Sequence, residues 1–383
     1  MQNIILFDPV KARTNLLPLT YTRPVALIRH GITTMLEKWQ RAIPGNYSFQ
    51  TQDYLSIKYS LVSADEDNDL YIAANIHPDP QLTQAILALA PREQLTLGGE
   101  VIARRGYREE GPKTEYTGSP LAINNIWDIF MLNDQAIRRD FADITAGRTS
   151  QPLSTTCTLI GDPADLFIEE GATVEAATIN VKHGPVYIGP HAEIMEGACL
   201  RGPIALCEHA VVNMGGKIYG ATTLGPYCKV GGELNNVVMT GYSNKAHDGF
   251  LGNAVIGEWC NLGAGCTASN LKNTYGTIKL WSMGQGRFVD TGLQFCGLIM
   301  GDHSKAGINT MFNTATTVGV GVNFYGAGFP RTFIPSFTQG STAGMKPVFM
   351  DAFFETAAKV MARRHIELTQ MDKDILYSLY SQQ

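Results

Sequence analysis

IGPHAEIMEGACLRGPIALCEHAVVNMGGKIYGATTLGPYCKV, residues 188–230, puts an aliphatic side chain at every sixth position: Ile188, Ile194, Leu200, Leu206, Val212, Ile218, Leu224 and Val230. With roughly a quarter of residues aliphatic, eight preset hits in a row have odds on the order of 10⁻⁵. Chance is therefore set aside. Helices repeat near 3.6 residues and ordinary strands near 2, so neither gives this period. Period six is the mark of a parallel β-helix, in which each short strand sends one side chain inward and then turns a corner. The phase returns at Ile256 and Leu262, and again at Met300, Ala306, Phe312, Val318 and Phe324. Glycine often follows the inward residue, as at Gly189, Gly225 and Gly257, where a corner needs unusual backbone angles.

The rest of the chain sets bounds on partners and class. A chain of 383 residues is long for one core and predicts two domains. Its 44% hydrophobic and 17% charged residues describe a folded globular protein. A net charge of −5 argues against nucleic-acid and anionic-membrane partners, which need clustered Lys and Arg. No apolar stretch nears the ~20 residues of a transmembrane helix. MQNIILFDPV, at the start, reads as a strand and not as a signal peptide. All seven cysteines follow residue 150 and none forms a C-x-x-C pair. They read as small buried hydrophobes in a reducing cytoplasm.

Residues 1–150 alternate apolar runs suited to buried strands (IILF, 4–7; LYIAA, 70–74) with helical spacing at 31–43, 80–90 and 126–141. That alternation predicts an open, Rossmann-like α/β sheet flanked by helices. The polar stretch TAGRTSQP (145–152) is the expected linker. The β-helix domain is expected over 153–330, with its regular repeat from about Leu159 to Gly328. A break is expected near 182–185 and longer excursions at 236–250 and 269–298. An extension over 347–383 carries one amphipathic helix from Met350 onward. Excursions from a solenoid are where function is expected, because ordering them costs entropy.

SNKAHDGFLGNAVIGEWCNLGAGCTASNLKN (243–273) resembles the acetyltransferase half of the bifunctional N-acetylglucosamine-1-phosphate uridyltransferase/glucosamine-1-phosphate acetyltransferases. The fold this implies is a left-handed parallel β-helix of hexapeptide repeats. Anchoring on Leu251–Gly252 places His247 at the family's general base. Asn261 and Asn270 fall at substrate-contacting positions and Ala264 at a coenzyme-contacting one. Upstream, GGKIYGATTLGPYCKVGGELNN sets Lys217 where the family has a phosphate-binding arginine and keeps Glu233. Asn235 replaces a second phosphate-binding lysine, and Phe250 replaces a tyrosine, losing one hydroxyl. The resemblance implies acetyl-CoA as co-substrate and a homotrimer with its active sites between subunits. A histidine with an ordinary pKa near 6.5 suits removal of the proton from a sugar amine. An N–H in 263–265 is a candidate donor to the thioester oxygen.

MGDHSKAGINTMF (300–312) resembles a coil found in hexapeptide proteins linked to nucleotidyltransferase domains. Lys305 is a second coenzyme candidate there, with Asp302 orienting His303. The histidines (His183, His191, His209, His247, His303) also leave open a zinc site of the γ-class carbonic anhydrase kind, which needs three imidazole ligands.

LLPLTYTRPVALIRHGITTMLEKW (16–39) resembles the sugar-nucleotide pyrophosphorylases. That family precedes it with a Gly-x-Gly-Thr-Arg loop whose N–H groups cradle triphosphate. Here Lys11, Arg13 and Asn15 stand in that loop, only Thr14 matches, and Val25 replaces the catalytic lysine. Asn75 occupies the position of the metal-binding aspartate, which weakens Mg²⁺ binding. Lys11, Arg13, Arg23 and Arg29 are the cations expected to hold phosphates instead, with Arg13 and Arg23 outweighing Mg²⁺. The expected function is UDP-N-acetylglucosamine synthesis in the cytoplasm: acetyl transfer from acetyl-CoA to glucosamine 1-phosphate, with possible uridylyl transfer from UTP. The alternative is a regulatory protein that senses a nucleotide sugar and uses its β-helix to trimerise.

Overall fold

The computed structural model describes residues 2–108 and 110–382. The N-terminal sheet has six strands in the order Gly45–Gln50, Gln2–Phe7, Leu70–Ala73, Glu100–Arg105, Gln94–Leu97, Lys113–Glu115. The first three are parallel. Gln2–Phe7 and Leu70–Ala73 carry the continuous apolar runs of buried strands, and GNYSFQ at the edge is only half-buried. Glu100–Arg105 then runs antiparallel to both neighbours. The sheet is mixed because Gly98 and Gly99, both at positive φ (60° and 83°), join two strands as a tight hairpin. Helix Met35–Ala42 starts later than its periodicity suggests. Thr34 and Glu37 form a reciprocal capping box that fixes its first turn. The 126–141 pattern divides into Asp128–Met131 and Asn133–Thr145.

From residue 158 the chain winds as a parallel β-helix with three walls. Cys199–Arg201 and Lys217–Tyr219 stack in the first wall, Ile204–Leu206 and Thr222–Leu224 in the second, and Val211–Val212 and Lys229–Val230 in the third. All eight residues of the six-residue series are at most 2% exposed and share one core cluster. Hydrogen-bonded strands stack the inward side chains directly, so a single column of aliphatic residues fills each wall.

Two expectations about the coil change. Residues 236–250 stay within the solenoid, as strands Glu233–Gly241, Asn244–Lys245 and the start of Phe250–Glu258. Leu224 pairs with Met239, a step of 15 residues (239 − 224) where 18 is regular, so shortened corners slip the phase. The solenoid also continues past 330 through Phe333–Ile334 and Thr338–Ser341. The 269–298 excursion does leave the coil, carrying an antiparallel hairpin, Lys279–Ser282 with Arg287–Asp290.

The second wall is covered by the N-terminal domain. Its outward residues Val238, Val255 and Ile299 join the core of that domain, and Ala205 and Tyr187 pack with Ile32 and Ile137. Asn133 donates to the Ala221 carbonyl (2.8 Å) and Thr223 to the Gly31 carbonyl (2.9 Å) across the junction. At the corner between second and third walls a stacked aromatic column rises: His191, His209, Tyr227, Tyr242, Trp259 and His303. Each sits at φ between 54° and 61°. The C-terminal segment covers its upper end as two helices, Met350–Ala362 and Gln370–Tyr380, where one was expected.

Candidate active site and nucleotide cleft

The edge between third and first walls gathers five of the expected residues. His247 is exposed on the four-residue corner 246–249. The corner on the preceding turn is only Gly231–Gly232. A Cβ on Gly231 would overlap the Ala246 carbonyl, so glycine is what lets the two turns meet there. Lys217, Glu233 and Phe250 are register partners at the start of successive first-wall strands, directly after this edge. Tyr219 donates to Glu233 Oε1 at 2.6 Å, and that bond first, then burial, pushes the Tyr219 hydroxyl up to about 12. Asn261 is exposed in the third wall beside Asn244, and Ala264 is exposed on the next corner of the same edge.

Beneath the edge lies a residue that sequence reading missed. Lys245 points inward at a position that is aliphatic in the turns below, and it is fully buried. Its Nζ donates to the carbonyls of His247 and Asp248, the latter at 3.0 Å. Burial lowers its pKa. Asn213 Nδ2 donates to the Ala246 carbonyl at 2.7 Å from the other side. Three consecutive carbonyls of the His247 corner are thus pinned by side chains. The six-residue count does not land on 245. Val230 pairs with Lys245 after 15 residues (245 − 230), so only the slipped register turns this lysine inward.

Asn235 and Asn270 lie at the other edge of the first wall. Asn270 donates to Asn253 Oδ1 (2.8 Å) where the excursion leaves the coil. Within one chain they do not join His247. Lys305 is turned away as well. Its Nζ donates to the His303 carbonyl (3.1 Å), burial lowers its pKa, and it lines a small cavity with Phe349 and Phe353 of the C-terminal segment. Asp302 does not orient His303. Its two oxygens take the Glu258 N–H (2.8 Å), Thr22 and Arg23. The histidines are dispersed: His191, His209 and His303 stand in the aromatic column and His247 on another edge. Among the described residues no three metal-ligating side chains cluster. The cysteines are buried except Cys157, half-buried, and Cys199, which is exposed on the first wall.

The second candidate site lies at the carboxyl ends of the parallel strands Gln2–Phe7 and Leu70–Ala73, where open α/β sheets bind ligands. The loop that should cradle phosphate is a short helix, Val10–Asn15. Arg13 turns inward to the Thr20 carbonyl and to Tyr54 (2.9 Å). Thr14 bonds the Val10 carbonyl. Arg23 was expected to meet the nucleotide; it is buried in an ion pair with Glu258 (2.8 Å) and Asp302 of the solenoid. Arg29 likewise reaches the Thr240 carbonyl across the junction. Of the four expected cations, Lys11 is exposed. The cleft floor is a set of amides: Asn75 donates to Asn124 (2.9 Å), and Asn15 donates to the Asn124 carbonyl and to Asn125. Asn75 Oδ1 is buried without a partner. Neutral amides lack the charge a phosphate-bridging Mg²⁺ site uses, so these residues do not fit that ion. Asp8, nearby, is held by Val25 N–H and Thr51, and burial lifts its carboxyl to about 6.

Residues 4–149 match the family described as sugar nucleotidyl transferase. A protein named bifunctional protein GlmU, from Kineococcus radiotolerans, is 28% identical over 232 residues, covering 54% of this chain and 43% of that protein. The match therefore spans less than half of that relative. Among solved structures, the acetyltransferase domain of PglB from Neisseria gonorrhoeae FA1090, in complex with acetyl coenzyme A, is 11% identical. It covers 91% of this chain and 100% of that one. Its TM-score of 0.18 is too low for an argument to rest on. Residues 4–149 thus carry the match to the sugar nucleotidyl transferase family, and the chain is similar, at 28% identity, to part of a bifunctional GlmU protein.

Proposed function

We propose that the β-helix transfers acetyl from acetyl-CoA to the amine of an amino-sugar phosphate, with His247 as general base. The observation that carries this reading is the edge itself: an exposed imidazole on a corner pinned by Lys245 and Asn213, with Lys217 and Glu233 on the adjacent strands. Lys217 supplies the charge a sugar phosphate needs, and Glu233 accepts from a neutral or charged amine. The amine nitrogen attacks the thioester carbon as His247 takes its proton. The C–N bond forms, the C–S bond breaks, and the proton passes to the leaving thiolate. Gly263 and Gly265 N–H groups are committed to the Ala306 and Asp248 carbonyls, which leaves the Ala264 N–H as the oxyanion donor of that corner.

The same edge favours a homotrimer. Met214 and Ile308, 71% and 70% exposed, flank the His247 corner, while the second wall is already occupied. Packing a neighbouring first wall against this edge buries them and brings a partner's surface to the site. The N-terminal domain binds UTP or the nucleotide sugar and uridylylates the acetylated sugar phosphate. Residues 4–149, of nucleotidyl transferase type, support this step. The test is a coupled assay with glucosamine 1-phosphate, acetyl-CoA, UTP and Mg²⁺, resolving each product. Acetylated sugar phosphate and UDP-sugar are expected; free thiol without either product refutes the reading.

A further inference from the structure

We propose that the solenoid's hairpin, Lys279–Ser282 with Arg287–Asp290, completes the nucleotide cleft of the N-terminal domain, and that Arg287 is its phosphate-binding cation. The inference rests on the reading of that domain as a nucleotide binder. The cations expected from the first thirty residues do not serve: Arg13 faces Tyr54, Arg23 faces Asp302, and Arg29 faces the domain junction. A cavity of about 280 Å³ nevertheless opens where the cleft should be, and both domains line it. Asn15, Asn125 and Trp127 come from one side, and Trp281, Arg287 and Asp290 from the other.

The hairpin is held in register by contact. Gly284 at its tip lies against Thr14, so close that a Cβ there would overlap the Thr14 methyl and carbonyl. Arg287 is exposed, opposite Ser282 across the hairpin, and its side chain makes no hydrogen bond or ion pair among the described residues. Asp290, also on the rim, accepts from the Gly292 N–H at 3.0 Å. A ligand with separate anionic and hydroxyl-bearing parts suits this pair: phosphates toward Arg287, ribose hydroxyls toward Asp290, and the base against the half-buried face of Trp127. That describes a nucleoside phosphate or nucleotide sugar. The hairpin thereby replaces with a side chain the backbone cradle that helix Val10–Asn15 has lost.

Calorimetry of the full-length protein with UTP and with UDP-N-acetylglucosamine, at low and high salt, is the test. Arg287→Ala should weaken binding roughly ten- to a hundredfold and flatten the salt dependence, with Arg287→Lys intermediate. Arg13→Ala should bind as the unmodified protein does. Unchanged affinity in Arg287→Ala with an unchanged thermal midpoint overturns the assignment of Arg287 alone. Absence of binding by the unmodified protein at millimolar ligand overturns the nucleotide reading and this inference with it.

Discussion

Lys245 shows how a single residue serves the site without touching substrate. An ammonium in an aliphatic slot costs desolvation, and it is tolerated here because two corner carbonyls accept from it. Lys245→Met keeps most of the volume but leaves the His247 carbonyl unpaired and the Asp248 carbonyl with the Gly265 N–H alone. We expect a loss of about 1–3 kcal/mol in urea unfolding. We also expect acetyl transfer to fall further than stability explains, because the His247 backbone is no longer fixed. A variant equally stable and active would show that the lysine merely fills space. The aliphatic residues of the repeat were legible in the sequence because burial of a repeated slot needs only a residue type. Arg23 was not legible. A basic residue early in the chain reads as a phosphate ligand, but its carboxylate partners, Glu258 and Asp302, lie more than 230 positions onward.

At the scale of elements, regularity was readable and irregularity was not. Each slip of phase, as between Leu224 and Met239, comes from corners shortened to one or two residues, and these look in sequence like departures from the coil. The true departure, 269–298, was readable because no inward residue recurs there, but its docking partner was not. Gly284 supplies a test of that docking. Gly284→Leu forces the tip off Thr14, and overpacking of this kind costs about 1–3 kcal/mol. A lower midpoint in thermal unfolding is expected, with weaker nucleotide binding. An unchanged midpoint would mean that the hairpin does not rest on helix Val10–Asn15 in solution.

The whole molecule behaves as two domains fused through buried polar contacts. Arg23→Met leaves Asp302, 2% exposed, without its cation, and breaking such a pair costs about 3–5 kcal/mol. Differential scanning calorimetry should then show two transitions or one at much lower temperature. Acid should act on the same fold in a defined direction. Burial depresses His30 to about 3 and His303 to about 4, and holds His77 well below its ordinary value. The unfolded chain therefore takes up protons near pH 6.5 that the folded one refuses, so stability falls as pH drops from about 6.5 towards 4. Asp8, raised to about 6 by burial, works in the opposite sense between about pH 6 and 4, as do Asp128 and Glu258, which burial also raises. Glu37 and Asp372, held low by their partners, act with the histidines. Urea midpoints between pH 7 and 4 check the sign. A midpoint that rises on acidification would contradict the neutral buried histidines.

The central claim is that the third-to-first-wall edge transfers acetyl. Its most direct test is thiol release from acetyl-CoA in the presence of glucosamine 1-phosphate, comparing the unmodified protein with His247→Ala. His247 is exposed, so its removal should leave fold and assembly intact while the rate falls by ~10²–10⁴. Near-full activity in His247→Ala would contradict the account.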